Sequence, residues 1–283
     1  MKFTAYIKLS RPVQWLKNLM LFFPPFLGGT LFKTGVISTG IVPFIAFSFV
    51  SSSTYVLNDI FDRENDAKHP QKRNRPLPSG LVPVAGAYLL SLAFLLAATV
   101  LAFVVSQTFC GLLLVYVVIQ AFYTFWFKEI AILDIFCISA GFVIRLQAGG
   151  VVFGIDISSW LFLSVFLLAL FLSTGKRLSE MQYLGEKAGE HRKSLDCYPS
   201  GFLEGVMYMT GATVLVTYTM FVITRHSLVY TVPLCCFGLL RYIFRVKSGY
   251  GGDPTDALIK DGALLSTSIL WAIMIWYGYY RPY

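Results

Sequence analysis

Residues 41–80 read IVPFIAFSFVSSSTYVLNDIFDRENDAKHPQKRNRPLPSG. An apolar run gives way at Asn58 to a stretch, 58–80, that carries four acids and five bases. About 18 apolar residues in a helix cross ~30 Å of hydrocarbon at ~1.5 Å per residue. The first part therefore reads as a membrane helix and the second as the charged loop that it enters.

The same contrast recurs along the chain. Its 283 residues are 56% hydrophobic and 13% charged, where a soluble domain carries about 25% charged residues. About nine spans are expected, near 15–33, 41–60, 82–105, 108–127, 131–153, 158–176, 202–223, 228–246 and 262–280. Long unbroken apolar runs point to helices, because a barrel shows short alternating segments. The fold expected is all-α: one polytopic transmembrane domain, 1–283, around a central cavity. The opening MKFTAYIKLSRPVQWLKN lacks an apolar core before a small-residue cleavage site, so it is expected to stay on the chain.

The net charge of +8 is unevenly spread. With the N-terminus inside, Lys33, Arg225 and Arg281 fall outside and Arg145 falls within a span. The other 19 of the 23 Lys and Arg then lie on the inner face. This bias orients the chain in the plasma (inner) membrane and argues against nucleic acid as its partner. The long polar loops, 61–81, 177–201 and 247–261, lie on that same inner face, so the working site is expected to face the cytoplasm. The five cysteines show no CxxC spacing and read as small apolar residues. Three scattered histidines make a zinc site improbable.

Asn58, Asp62 and Asp66 are spaced by four and stack along one face of a helix, with Asp59 beside them and Glu64 elsewhere. Like charges ~6 Å apart repel by about 3 kcal/mol at an effective dielectric near 20. A hard divalent cation such as Mg2+ would relieve this, and would leave room for phosphate ligands. A plainer reading pairs the acids with Arg63, Lys68 and Arg73 at a solvated helix end. The bases that follow, Lys68, Lys72, Arg73 and Arg75, suit anionic headgroups or a phosphate clamp. Arg145 costs ~2.5–3.5 kcal/mol inside a span. It calls for phosphate contact, or else snorkelling or pairing with Asp134 on the same helix. Lys17 and Asn18 read as interface anchors within reach of the cavity. Asp253, Asp256 and Asp261 follow a Gly-rich turn and serve as a closing loop or as helix caps.

RPVQWLKN at 11–18, NDIFDREND at 58–66 and HPQKRNRPLPSG at 69–80 resemble the UbiA superfamily of intramembrane prenyltransferases, over essentially the whole chain. The resemblance implies Asn58, Asp62 and Asp66 as Mg2+ ligands, with Asp59, Asp62 and Asp66 catalytic. That family carries a second acidic pair after its sixth helix. Here the segment reads LALFLSTGKRLSEMQYLGEKAGEHRKSL, with Lys176, Arg177 and Glu180 at the expected place. Cations there cannot hold a second Mg2+, but they can bind phosphate. The GKR segment, HRKSL, AGFVIRLQAGG at 140–150 and GGDPTDALIKD at 251–261 resemble one branch, the decaprenyl-phosphate phosphoribosyltransferases. That resemblance implies transfer of 5-phosphoribose from 5-phosphoribosyl-1-pyrophosphate to a polyprenyl phosphate, for cell-envelope glycolipid precursors. Lys17, Asn18, Lys72, Arg75, Arg145, Lys176, Arg177, Glu180 and Arg192 would then contact substrate. The nucleophile is already an anion, so the reaction needs no histidine base. The nearest rival is a conventional transfer of a polyprenyl chain to an aromatic acceptor, in a quinone or haem pathway. It needs the second metal site that this segment does not supply. A transporter of an anionic metabolite would show charge on both faces, and here the charge is one-sided.

Overall fold

The structure, a computed structural model, describes residues 2–70, 72–185, 188–224 and 226–280. Arg225 and Arg281, expected on the outer face, lie outside the described residues. Fourteen α-helices make up the described chain. Helix α1 (Lys2–Ser10) leads into a 3-10 helix (Pro12–Phe22) and α2 (Phe23–Leu27). Then come α3 (Val36–Phe61), α4 (Arg63–Lys68), α5 (Val84–Val105), α6 (Gln107–Phe125), α7 (Leu133–Phe153) and α8 (Ser159–Leu184). Short α9 (Ala188–His191) and α10 (Lys193–Asp196) precede α11 (Phe202–Ile223), α12 (Val232–Lys247), α13 (Pro254–Lys260) and α14 (Gly262–Tyr280).

Among the described residues, eight helices are long and apolar enough to cross a membrane. The remaining expected crossing, 15–33, is built differently. Pro12 stops α1 and the chain turns at Arg11, which adopts a left-handed conformation with φ 52°. Pro24 and Pro25 lack the N–H groups that an α-helix would need, and their rings crowd the preceding turn. The chain before them winds as a 3-10 helix instead. Eleven residues at ~2.0 Å and five at ~1.5 Å reach about 30 Å, the thickness of the hydrocarbon.

Small residues let these elements approach closely, as membrane interfaces require. The run Ser51-Ser52-Ser53-Thr54 in α3 is buried but polar, and its hydroxyls stitch neighbours together. Ser52 donates to Ser10 O (2.8 Å) and accepts from Trp15 Nε1 (2.9 Å). Ser53 donates to Ser91 O on α5 (2.9 Å). One apolar cluster joins the 3-10 helix to α3, α5, α6 and α7; a second joins α8 to α11, α12 and α13; a third ties α7, α8, α11 and α14 together. The five cysteines are free, and only Cys137 is buried; Cys197 is exposed.

Two glycine contacts set how closely neighbouring elements approach. A Cβ on Gly149 of α7 would stand 2.2 Å from the Leu21 carbonyl oxygen of the 3-10 helix. A Cβ on Gly252, just before α13, would stand 2.4 Å from the Gly175 carbonyl oxygen of α8. Backbone cannot yield as a side-chain tip can. Gly149→Ala is expected to cost about 3 kcal/mol, the upper end for overpacking, read as a fall in Tm in detergent. Gly205→Ala in α11, with nothing within 4 Å of the added methyl, is expected to leave Tm unchanged or slightly raised. Equal Tm values for the two variants would show that the Gly149 contact does not hold α7 against the 3-10 helix.

Candidate active site

The glycine contacts bring charged residues into one central cavity of about 170 Å3. Leu21 and Asn18 are one 3-10 turn apart, and Gly149 and Arg145 one α-helical turn, so the Gly149–Leu21 contact sets Arg145 against Asn18. Likewise Gly175–Gly252 sets Lys176 against Asp253. The cavity lies between the 3-10 helix, α3, α4, α6, α7 and α8, with Pro254 of α13 at its edge. Eleven residues expected to form the site line it together: Lys17, Asn58, Asp62, Asp66, Lys72, Arg75, Arg145, Lys176, Arg177, Glu180 and Arg192.

The other two expected residues sit behind the wall. Asp59 is buried and bonded to Arg11, with Arg75 3.3 Å away, so it acts on the cavity through those two arginines. Position 59 lies one residue, about 100° of helix rotation, from the Asn58–Asp62–Asp66 face. Asn18 is also buried; it donates to Ser48 (3.1 Å) and accepts from Arg145 Nε (2.7 Å). It positions Arg145.

The acidic ladder survives a break in the helix. α3 ends at Phe61 and α4 starts at Arg63, yet Asp62 N still bonds Asn58 O (2.9 Å) and Asp66 N bonds Asp62 O (2.7 Å). The three side chains therefore still face one way. Their partners differ from the local bases of the plainer reading. Arg75 bonds Asp66 at 2.6 Å, Lys128 bonds Asp62, and Arg63 lies 3.9 Å from Glu64. Lys128 sits just past α6, buried, and sequence reasoning missed it. A lone lysine between two apolar runs was the available signal. Asn58 Nδ2 donates to Asp62 (2.8 Å), which leaves Asn58 Oδ1 buried without a partner.

The opposite wall belongs to α8. Arg177 is 2% exposed and bonds Asp134 (2.6 Å), Glu180 (2.7 Å) and the Tyr123 hydroxyl (3.1 Å). Asp134 thus pairs with Arg177, and not with Arg145. Eleven residues along one helix separate 134 from 145 by about 16 Å, too far for contact. Asp134 also accepts from Tyr198 (2.7 Å) and lies 3.8 Å from Arg192. Lys176 bonds Asp253 at 2.9 Å. Glu180 stands 3.9 Å from Lys72. Burial pushes the Lys72 ammonium below its ordinary range, against the pull of Glu180.

The donor set suits a hard cation. Asn58 Oδ1, an orphaned buried acceptor, lies on the same face as Asp62 and Asp66, and all three residues line the cavity. Among the described residues no group of three or more His, Cys, Asp or Glu is assembled for a metal. An ion here would take few ligands from the chain and the rest from phosphate or water, which is the habit of Mg2+.

A family model described as the UbiA prenyltransferase family matches residues 21–268. The decaprenyl-phosphate phosphoribosyltransferase of Corynebacterium glutamicum is 32% identical over 281 residues, 95% of this chain and 85% of the relative. That of Mycolicibacterium smegmatis is 32% identical over 286 residues, 95% and 90%. A solved structure of a UbiA homolog from Archaeoglobus fulgidus, bound to DMAPP and Mg2+, superposes with a TM-score of 0.75. It is 22% identical, with 97% of this chain and 98% of that one covered.

Asp253 links the α8 wall to the loop before α13, capping that helix through the N–H groups of Thr255 (3.1 Å) and Asp256 (3.3 Å). Burial alone would raise its carboxyl, but Lys176 and Lys17 hold it well below the usual carboxylate range. A depressed carboxylate stabilises the fold above the ordinary Asp pKa, and that stability is lost as pH falls through the folded value. Wild type is expected to have a higher Tm than Asp253→Asn near pH 7, with the gap narrowing below about pH 4. A gap that stayed constant to about pH 3 would remove the charge from the account.

Proposed function

We propose, from the premise that this chain belongs to the UbiA prenyltransferase family, that it transfers 5-phosphoribose from 5-phosphoribosyl-1-pyrophosphate to a polyprenyl phosphate and releases diphosphate. The observation that carries this is the asymmetry of the cavity. Asn58 and two acids, Asp62 and Asp66, line one wall, while Lys176 and Arg177 stand where a second acidic pair would be needed. A donor with phosphate at one end of its sugar and diphosphate at the other suits one metal-binding wall and one cationic wall. The relatives named for this reaction cover 95% of the chain. The acceptor supplies the lipid, and eight apolar helices supply the membrane around it. The bias of Lys and Arg supports a cavity open to the cytoplasm of the plasma (inner) membrane.

In this reading Asn58, Asp62 and Asp66 would hold Mg2+. When bound, the ion neutralises charge on the departing diphosphate. The bond from sugar C1 to the diphosphate oxygen breaks, and a bond from C1 to a phosphate oxygen of the lipid forms. The electron pair of the broken bond leaves with diphosphate. A phosphate monoester has its second pKa near 6, so the nucleophile arrives as an anion and no side chain has to take a proton. Asp62 and Asp66 balance the positive charge that develops at C1. Lys72, Arg75 and Arg192 hold donor phosphates from the loop side. Asp134 fixes Arg177, which in turn holds Glu180 against the cavity.

The test is a product assay in membranes or nanodiscs, with labelled 5-phosphoribosyl-1-pyrophosphate, polyprenyl phosphate and Mg2+. Label is expected in the lipid fraction, is expected to disappear with EDTA, and is expected to return with Mg2+. Asp62→Asn and Lys176→Ala are each expected to lower the rate at least about 100-fold while the protein still inserts. Prenylation of an aromatic acceptor from a polyprenyl diphosphate, without lipid-linked phosphoribose, would replace this reading with the conventional one.

A further inference from the structure

Eight cationic side chains line the cavity, and six of them have a carboxylate within 4.0 Å. Among the described residues the two exceptions are Lys17 and Arg145. They stand side by side on different elements. Asn18, the neighbour of Lys17 on the 3-10 helix, accepts from Arg145 Nε at 2.7 Å. Lys17 also lies within electrostatic reach of Arg145, Lys176 and Asp253, and the last two already form a pair at 2.9 Å. Among the described residues, neither Lys17 nor Arg145 therefore has a carboxylate of its own within 4.0 Å.

Arg145 is held in place without being neutralised. Its Nη1 donates to Gly141 O (2.7 Å), and its Nη2 to Ser51 (3.2 Å) and Tyr116 (3.0 Å). The rings of Tyr116, Phe47 and Phe142 stand 4.9, 5.2 and 5.6 Å from its guanidinium carbon. These partners orient the cation and leave its charge for something else. Lys17 lines the cavity with no hydrogen bond or ion pair among the described residues. An arginine inside a span without a carboxylate partner, like Arg145, is costly and marks a site where an anion belongs. A phosphate monoester, with ~1.5–2 negative charges near neutral pH, matches the two.

The surroundings indicate whose phosphate it is. Ile138, Phe142 and Leu172 supply apolar wall to the cavity, Phe142 lies beside the Arg145 guanidinium, and Arg145 sits within a membrane-spanning helix. The Asp62–Asp66 wall, with Lys72 and Arg75, is built from the helix break and the polar loop after it. We propose that Lys17 and Arg145 form a separate anion seat for the phosphate of the lipid acceptor. The donor's diphosphate then lies on the Asp62–Asp66 wall. The assignment rests on the phosphoribosyl-transfer reading and adds which cations read which substrate.

The test uses the full chain in nanodiscs, with farnesyl phosphate as a short acceptor. Lys17→Met is expected to raise the KM for farnesyl phosphate at least tenfold and to change the KM for 5-phosphoribosyl-1-pyrophosphate less than twofold. Lys17→Arg is expected to restore acceptor affinity to within about threefold of wild type. A tenfold rise in donor KM with acceptor KM unchanged would give the seat to the donor's 5-phosphate and overturn the proposal. Titration of farnesyl phosphate without donor separates the two readings. If wild type forms no lipid-linked phosphoribose, the reaction falls, yet tenfold weaker farnesyl phosphate binding in Lys17→Met, with farnesol binding unchanged, still supports the seat. Equal farnesyl phosphate binding by both proteins would remove it.

Discussion

Charge held inside a membrane protein has to be matched within a few ångströms, and this fold is arranged around that requirement. Asp59, Asp62, Asp66, Asp134 and Glu180 lie in or behind one cavity with Arg11, Arg75, Lys128, Arg177 and Arg192. Removing one partner of a buried pair typically costs about 3–5 kcal/mol, so the helices that carry these groups cannot drift apart independently. Asp134 on α7 and Arg177 on α8 are both almost fully buried, and they lock these two neighbouring helices together. The apolar clusters supply most of the packing, and the ion pairs decide which helix faces meet.

Much of this was legible because it is local in sequence. Membrane spans follow from runs of apolar residues, and the Asn58–Asp62–Asp66 ladder from a spacing of four. The departure at Lys176 and Arg177 is visible without any structure. Partner choice was not legible. Lys128 meets Asp62 across 66 residues, and Arg177 meets Asp134 across 43. Helical periodicity carries no information about such pairings. The plainer reading gave the acids Arg63, Lys68 and Arg73, which are nearer in the chain, yet Asp62 and Asp66 pair with Lys128 and Arg75. The first crossing hid for a different reason. Apolar composition is the same for a 3-10 helix as for an α-helix, and only the prolines at 12, 24 and 25 hinted at the change.

The tighter winding of that segment has a consequence for the site. In a 3-10 helix residues three apart eclipse, so Asn18 and Leu21 project along one line, and α7 presents Arg145 and Gly149 one turn apart to meet them. The backbone contact at Gly149 and the hydrogen bond at Arg145 are then successive rungs of one interface. α8 repeats the device with Gly175 against Gly252 and Lys176 against Asp253. In both cases a missing side chain fixes where a cation stands, which is more exact than placing a long flexible side chain on a loop.

The acidic wall and the Lys17–Arg145 seat also differ in how they are balanced. On the acidic wall the carboxylates are matched by Arg75 and Lys128, so a metal ion held by Asp62 and Asp66 would compete with those cations for the same oxygens. The displaced cations would lie beside the phosphate groups that arrive with the metal, and charge would be exchanged over short distances. Lys17 and Arg145 have no carboxylate to exchange. A ligand that binds there must bring its own negative charge, and neutral hydrogen bonds hold the arginine in position before it comes. A wall of replaceable pairs suits a soluble donor that carries a metal. A seat of cations without carboxylate partners suits an anion delivered from the lipid, where no counter-ion travels with it.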